Sequence, residues 1–362
     1  MIQDTLTKEE KREIASKIKN SSMQEVEKDM NKLIEIGTNA HTISPRSNIG
    51  NNVVDHFTFL QRLETKGKYD VTFFEFLVNI DTFKKKKFIQ TMLTYYDEVK
   101  NKNRTKHEYK VLKEVYNICI SAINIMRPLN CMEIYTRYNA TRVLNFCAGW
   151  GGSTVAACAL NLKAYYGIEI NHDLKEPYAN LTAYLQTKCN TEIKVWFEDA
   201  TGFDYSTIEY DTVFASPPYY FIEKYAHNTN YESKKEMDDK FYRPVFSNTY
   251  AGLKKGGHYI INVCKEVYEN ILVELLGNAH EMFPLKKSKR QNNYTEMVYV
   301  WKKDWTPLLF IYLIYRTIFF QKLVCFVSEI HKSKQNTYTK HTWDHDSLYL
   351  YCFICLCLYK TI

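Results

Sequence analysis

The sequence predicts an α/β fold: a parallel sheet with a mainly helical region in front of it. Three observations carry this expectation. From Thr141 onward, short apolar, β-branched runs (RVLNFCA, AYYGIEI, IKVWFEDA, YDTVFAS and HYIINVC) alternate with helical stretches, the pattern of strands covered on both faces. The first run feeds a turn holding Gly149, Gly151 and Gly152, in a chain with only 12 glycines among 362 residues. Before the strands, residues 1 to about 40 place apolar residues at helical spacing among lysines and glutamates and end near Gly37.

The remaining segments follow in order. The loop TISPRSNIGNN leads into an aromatic stretch up to Ile80, with a turn at Thr65–Lys68. From Lys84 to Lys110, nine basic residues face three acids. Such a run is either a solvated helix face or a surface that contacts phosphates, and Lys84, Lys85, Lys86 and Lys87 are the candidates for the second role. After the fifth strand run, the stretch from about Phe283 to Lys303 reads as a loop and then a strand, YTEMVYVW. The loop carries Lys286, Lys287, Lys289 and Arg290, either ordinary surface charges or further phosphate contacts.

Composition bounds the function. Hydrophobic residues at 45% and charged residues at 25% exclude a chain disordered throughout. A net charge of +7 is compatible with a polyanionic partner without requiring one. The N-terminal 20 residues hold no apolar core segment, so a secreted protein is not expected; an intracellular one is. Six of the 10 cysteines are scattered singly and read as small buried residues of a reducing compartment. Cys352, Cys355 and Cys357 sit in the apolar run YCFICLCLY without the turns of a zinc knuckle, so no metal is expected. The tail from Asp304 differs in composition from the rest. Its apolar runs are broken by Arg316, Gln321 and Lys322, too soon for a membrane span. It reads as a variable extension, or else as a surface-binding tail.

Chemistry concentrates at the strand ends. A strand entering a glycine turn lets the backbone approach a ligand at a helix N-terminus. Glu169 lies 20 residues after Gly149, at the end of the second strand, where a carboxylate can accept hydrogen bonds from ribose hydroxyls. Asp199 occupies the same edge on the third strand, within reach of an adenine amino group. The fourth strand ends in Ser216-Pro217-Pro218-Tyr219. Two prolines fix the backbone and remove two donors, which leaves carbonyls facing outward as acceptors for an exocyclic amino group. Tyr219 offers a flat face for a base.

FCAGWGG followed by SPPY resembles the S-adenosylmethionine-dependent DNA methyltransferases that methylate amino groups (adenine N6 or cytosine N4). The likeness spans roughly residues 124–303 and implies a Rossmann-like class I methyltransferase sheet. It also implies a division into an N-terminal, mainly helical region (1–123), a methyltransferase domain (124–303) and an atypical extension (304–362). By this resemblance Asn145, Phe146, Ala148, Gly149, Gly151, Glu169 and Asp199 hold S-adenosyl-L-methionine. Asn145 stands where the family often has Asp. RPLNCMEIYTRY is placed like the segment that closes over the methionine end of the cofactor. Ser216, Pro217, Pro218 and Tyr219 hold a base flipped out of duplex DNA: Ser216 and the Pro217 carbonyl accept from the amino group, and Tyr219 stacks. Only 67 residues separate Gly149 from Ser216, and the sheet fills them. Recognition therefore falls to the N-terminal region, with Lys289 and Arg290 as further contacts. An RNA or protein substrate on the same fold, and an inactive DNA-binding subunit, remain as alternatives.

Overall fold

The computed structural model describes residues 4–67, 69–220, 223–224, 229–285 and 296–304. Cys352, Cys355, Cys357, Lys286, Lys287, Lys289, Arg290 and the tail from 305 lie outside them. The N-terminal region holds α1 (Lys8–Ile18), α2 (Met23–Ile36), α3 (Asn51–Leu63), a short strand β1 (Lys66–Gly67), α4 (Phe73–Val78), α5 (Ile80–Lys84), α6 (Lys87–Tyr95) and α7 (Glu108–Cys119). Then follow α8 (Pro128–Arg137), β2 (Arg142–Asn145), α9 (Gly152–Ala159), β3 (Ala164–Ile168), α10 (Lys175–Gln186), β4 (Glu192–Trp196), β5 (Thr212–Ala215) and β6 (Glu223–Lys224). The chain continues with α11 (Lys234–Met237), α12 (Arg243–Gly252), β7 (His258–Val263), α13 (Lys265–Val267), α14 (Val273–Leu276), β8 (Glu281–Pro284) and β9 (Met297–Lys302).

Seven strands form one sheet in the order β4-β3-β2-β5-β7-β9-β8. The first five are parallel and β9 runs antiparallel between β7 and β8. This is the Rossmann-like class I methyltransferase sheet. The order reverses between β2 and β5, so the crevice for a ligand opens at the carboxyl ends of those two strands. Each strand alternates its side chains between two apolar layers. Val143, Tyr165, Phe214 and Ile260 pack under α8 and α9, while Leu144, Tyr166, Val213, Tyr259 and Ile261 pack under α12. Two covered faces are why these runs read as continuous apolar stretches.

The core does not divide at residue 123. Val26, Met30 and Leu33 of α2 and Val53 and Val54 of α3 are buried in the same layer as Val143 and Val155. Only α1 and α4–α7, with Leu63 at the end of α3, form a cluster of their own, built on Phe73, Phe74, Phe76, Phe83 and Tyr116. Helices in this region start by sequence rule: Thr7 with Glu10, Ser22 with Glu25 and Thr72 with Glu75 each form a reciprocal capping box. A two-stranded ribbon pairs β1 with β6, tying the N-terminal region to the chain just after the SPPY segment.

Candidate active site

The turn after β2 is stitched to the neighbouring strand. Cys147 N donates to Asn145 Oδ1 at 3.1 Å and Ala148 N donates to the Ile168 carbonyl at 2.9 Å. Gly149 N donates to Glu169 Oε2 at 2.6 Å. Gly149 and Gly151 take left-handed φ of +60° and +91°, where a side chain is strained. A Cβ on Gly152 would collide with the Met126 carbonyl, and one on Gly151 would lie 2.7 Å from Leu181 Cδ2. The turn requires glycine at 149 and 151, and close packing requires it at 151 and 152.

A cavity of about 910 Å³ opens over the strand ends. That size suits a nucleoside-type cofactor together with a base. Phe146, Gly149, Glu169, Asp199, Ser216 and Pro218 line it. Glu169 also accepts from Asn171 N at 2.9 Å, which holds the carboxylate at the end of β3. Asp199 accepts from the Thr201 amide and hydroxyl, both at 2.8 Å. Glu198, Ile170 and Leu174 line the cavity too. Carboxylates at two strand ends, an open glycine turn and apolar walls fit the ribose, methionine and adenine portions of S-adenosylmethionine. Cys147, on the cavity wall, is kept protonated: burial pushes its thiol well up, and Glu169 and Asp199 add to that.

Three residues expected at the cofactor stand behind the cavity wall. Asn145 is buried, donating to Ser153 Oγ at 3.0 Å, and Ser153 bonds the Tyr165 hydroxyl at 2.8 Å. Its amide therefore braces the turn from below, which accounts for a neutral residue there. Ala148 is buried, its carbonyl accepting from Tyr178 at 3.1 Å. Gly151 begins α9. The segment expected to close over the cofactor is α8, which packs against α9 and contributes no cavity-lining residue among the described residues.

At the SPPY end a residue not foreseen organises the site. Asn262, fully buried on β7, accepts from Ser216 Oγ at 3.1 Å and from the Tyr219 hydroxyl at 3.0 Å. Its amide donates to the Met297 carbonyl at 2.8 Å, which fixes the side chain's orientation because only the NH₂ can donate. With its proton committed to Asn262, Ser216 Oγ offers lone pairs to anything above it. Tyr219 lies outside the cavity lining; Tyr220, Tyr231 and Phe241 supply the aromatic walls instead. The Pro218 carbonyl, expected to be unpaired, accepts from Tyr242. Tyr242 also takes the Tyr220 amide at 3.2 Å. Tyr220 is held at φ +46°, a strained conformation for an aromatic residue, and its hydroxyl donates to Asp238 at 2.9 Å. Burial raises the Asp238 carboxyl, although the Tyr220 bond pulls it the other way.

Lys84, Lys85, Lys86 and Lys87 are exposed and do not line the cavity. Among the described residues there is no cluster of three metal-ligating side chains, and no helix is long and apolar enough to cross a membrane.

The family model described as RNA cap guanine-N2 methyltransferase matches residues 140–303. No curated protein sequence matches. Solved structures similar to this chain include TrmN from Thermus thermophilus (17% identity, 49% of this chain and 48% of that one, TM-score 0.34). Another is an rRNA methylase from Streptococcus thermophilus (16% identity, 51% of this chain and 100% of that one, TM-score 0.35). The chain spans about half the length of TrmN. A DNA substrate finds no support in the family description, whose target is RNA. The strand order, the glycine turn, the cavity and the family match agree: residues 140–303 form an S-adenosylmethionine-dependent methyltransferase domain of the Rossmann-like class.

Proposed function

We propose that this chain methylates the exocyclic N2 amine of a guanine at the capped 5′ end of RNA. The observation that carries the reading is the polarity of Ser216. Its hydroxyl proton is committed to Asn262 and the residue lines the cavity, which leaves its lone pairs for an amine presenting two hydrogens. The match of residues 140–303 to an RNA cap guanine-N2 model supports guanine over adenine or cytosine, and RNA over DNA.

When bound, S-adenosylmethionine supplies a methyl group already activated for in-line displacement. The protein's part is orientation. Glu169 would accept from the ribose hydroxyls, Asp199 and Glu198 would meet the adenine, and Phe146 and Gly149 line the cavity beside them. Ser216 Oγ accepts one amino hydrogen and turns the nitrogen lone pair out of the ring plane. Pro217, expected to accept the second hydrogen, is buried and does not line the cavity. Tyr220, Tyr231 and Phe241 are the aromatic surfaces on which the base rests. The test is methyl incorporation from labelled cofactor into capped RNA, the same RNA uncapped, and duplex DNA of matched sequence. Incorporation confined to the capped RNA is the expected result; incorporation into the DNA instead overturns the reading.

A further inference from the structure

Outside the cavity, α6 and the π-turn after it (Tyr96–Lys100) carry a surface that the catalytic site does not use. Phe88, Tyr95 and Val99 are 53%, 42% and 61% exposed. Spaced seven and then four residues apart, they fall on one helical stripe. Lys84, Lys85, Lys86 and Lys87 flank the stripe at one end, and Lys100, Lys102 and Arg104 at the other. The acids near it are Asp81, Asp97 and Glu98. Lys84 lies 3.6 Å from Asp81 and Lys86 sits over the Phe83 ring. Lys85, Lys87, Lys100, Lys102 and Arg104 make no ion pair among the described residues. The lysines also crowd a helix N-terminus that no side chain caps, where positive charge works against the helix dipole. A merely solvated face needs neither that crowding nor three aligned apolar side chains.

We infer that this surface docks a single-stranded segment of the RNA substrate downstream of the methylated end. Unpaired cations meet the phosphates, and Phe88 and Tyr95 stack on bases, which only an unpaired strand can offer. The inference rests on the RNA reading of the active site but uses none of its residues.

The test measures binding of an unstructured, fluorescently labelled 20-nucleotide RNA and of a duplex DNA by anisotropy, without methyl transfer. Two double variants are compared with the unaltered full chain: Lys85→Glu/Lys87→Glu and Phe88→Ala/Tyr95→Ala. The charge variant should bind the RNA at least tenfold more weakly and lower the salt dependence (log–log slope) by roughly 1.4, about 0.7 per lost phosphate contact. The aromatic variant should bind at least fivefold more weakly with the salt slope unchanged. Both should keep S-adenosylmethionine affinity, and methylation of a capped dinucleotide, as they were. RNA affinity unchanged in the aromatic variant, equal losses on duplex DNA, or no RNA binding by the unaltered protein would each overturn the inference. Because binding is read separately, absence of methylation would count against the active-site reading and leave this surface to be judged on affinity alone.

Discussion

The Ser216 hydroxyl and the Asn262 side-chain oxygen lie 3.1 Å apart, joining the end of β5 to β7. Asn262 turns a hydroxyl that could donate into one that accepts, and in the same way secures Tyr219. Asn262→Ala should lower kcat by about 10- to 100-fold, the equivalent of a lost buried hydrogen bond of 1–3 kcal/mol, with cofactor affinity little changed. Ser216→Ala should fall in the same range. The double variant should lose far less than the product of the two, because both act through one contact. Steady-state kinetics with calorimetric cofactor binding checks this, and multiplicative losses would separate the two residues.

Tyr242 is the second support. Its hydroxyl serves the Pro218 carbonyl and the Tyr220 amide together. Tyr242→Phe leaves the buried Tyr220 amide and the half-buried Pro218 carbonyl without that partner, so it should cost about 1–3 kcal/mol of stability and lower kcat. Denaturant unfolding and turnover measured on the same preparation would show whether the two losses occur together.

Glu169 accepts from Gly149 and Asn171 and faces the cavity. Glu169→Ala should weaken S-adenosylmethionine binding by tenfold or more, since it removes a charge-assisted acceptor for the ribose and loosens the turn. Asn145→Asp, by contrast, would place a charge in the buried network with Ser153 and Tyr165 and should destabilise the fold without improving affinity. Titration calorimetry with thermal unfolding distinguishes the two effects.

Lys113 supplies the pH dependence. Burial, and then the charge of Arg62, push its ammonium down to about 7, while the unfolded chain keeps an ordinary lysine. Between about pH 7 and pH 10 the unfolded state therefore binds the extra proton, so this group makes stability rise with pH there. Its slope is at most about 1.4 kcal/mol per unit. Lys113→Met should be more stable than the parent at pH 7 and show a shallower rise between pH 7 and pH 9. Denaturant midpoints at several pH values test this; identical slopes would contradict it.

Much of this was legible in the sequence. Five β-branched runs became β2, β3, β4, β5 and β7, and YTEMVYVW became β9, because strands covered on both faces show as unbroken apolar runs. β8 overlaps the start of the loop expected from about Phe283: four residues at a sheet edge, one of them a proline, carry no period. The β1–β6 ribbon, two residues a side, carries none either. Phe146, Gly149, Glu169, Asp199 and Ser216 meet at one cavity because motif and strand end coincide. Asn262 was hidden in HYIINVC, where one polar residue inside an apolar strand was the available signal. Tyr242 was beyond reach, since no spacing ties it to Pro218. SPPY speaks of an amino group and is silent on the polymer that carries it, which is why DNA was favoured.

The most direct measurement is identification of the methylated nucleoside. Capped RNA is incubated with the protein and labelled S-adenosylmethionine, digested to nucleosides and separated by mass spectrometry, with Ser216→Ala run beside it. The unaltered protein should yield N2-methylated guanosine, and the variant about tenfold less or lower still. Methyl groups on adenine N6 or cytosine N4, or equal yields from both proteins, would contradict it.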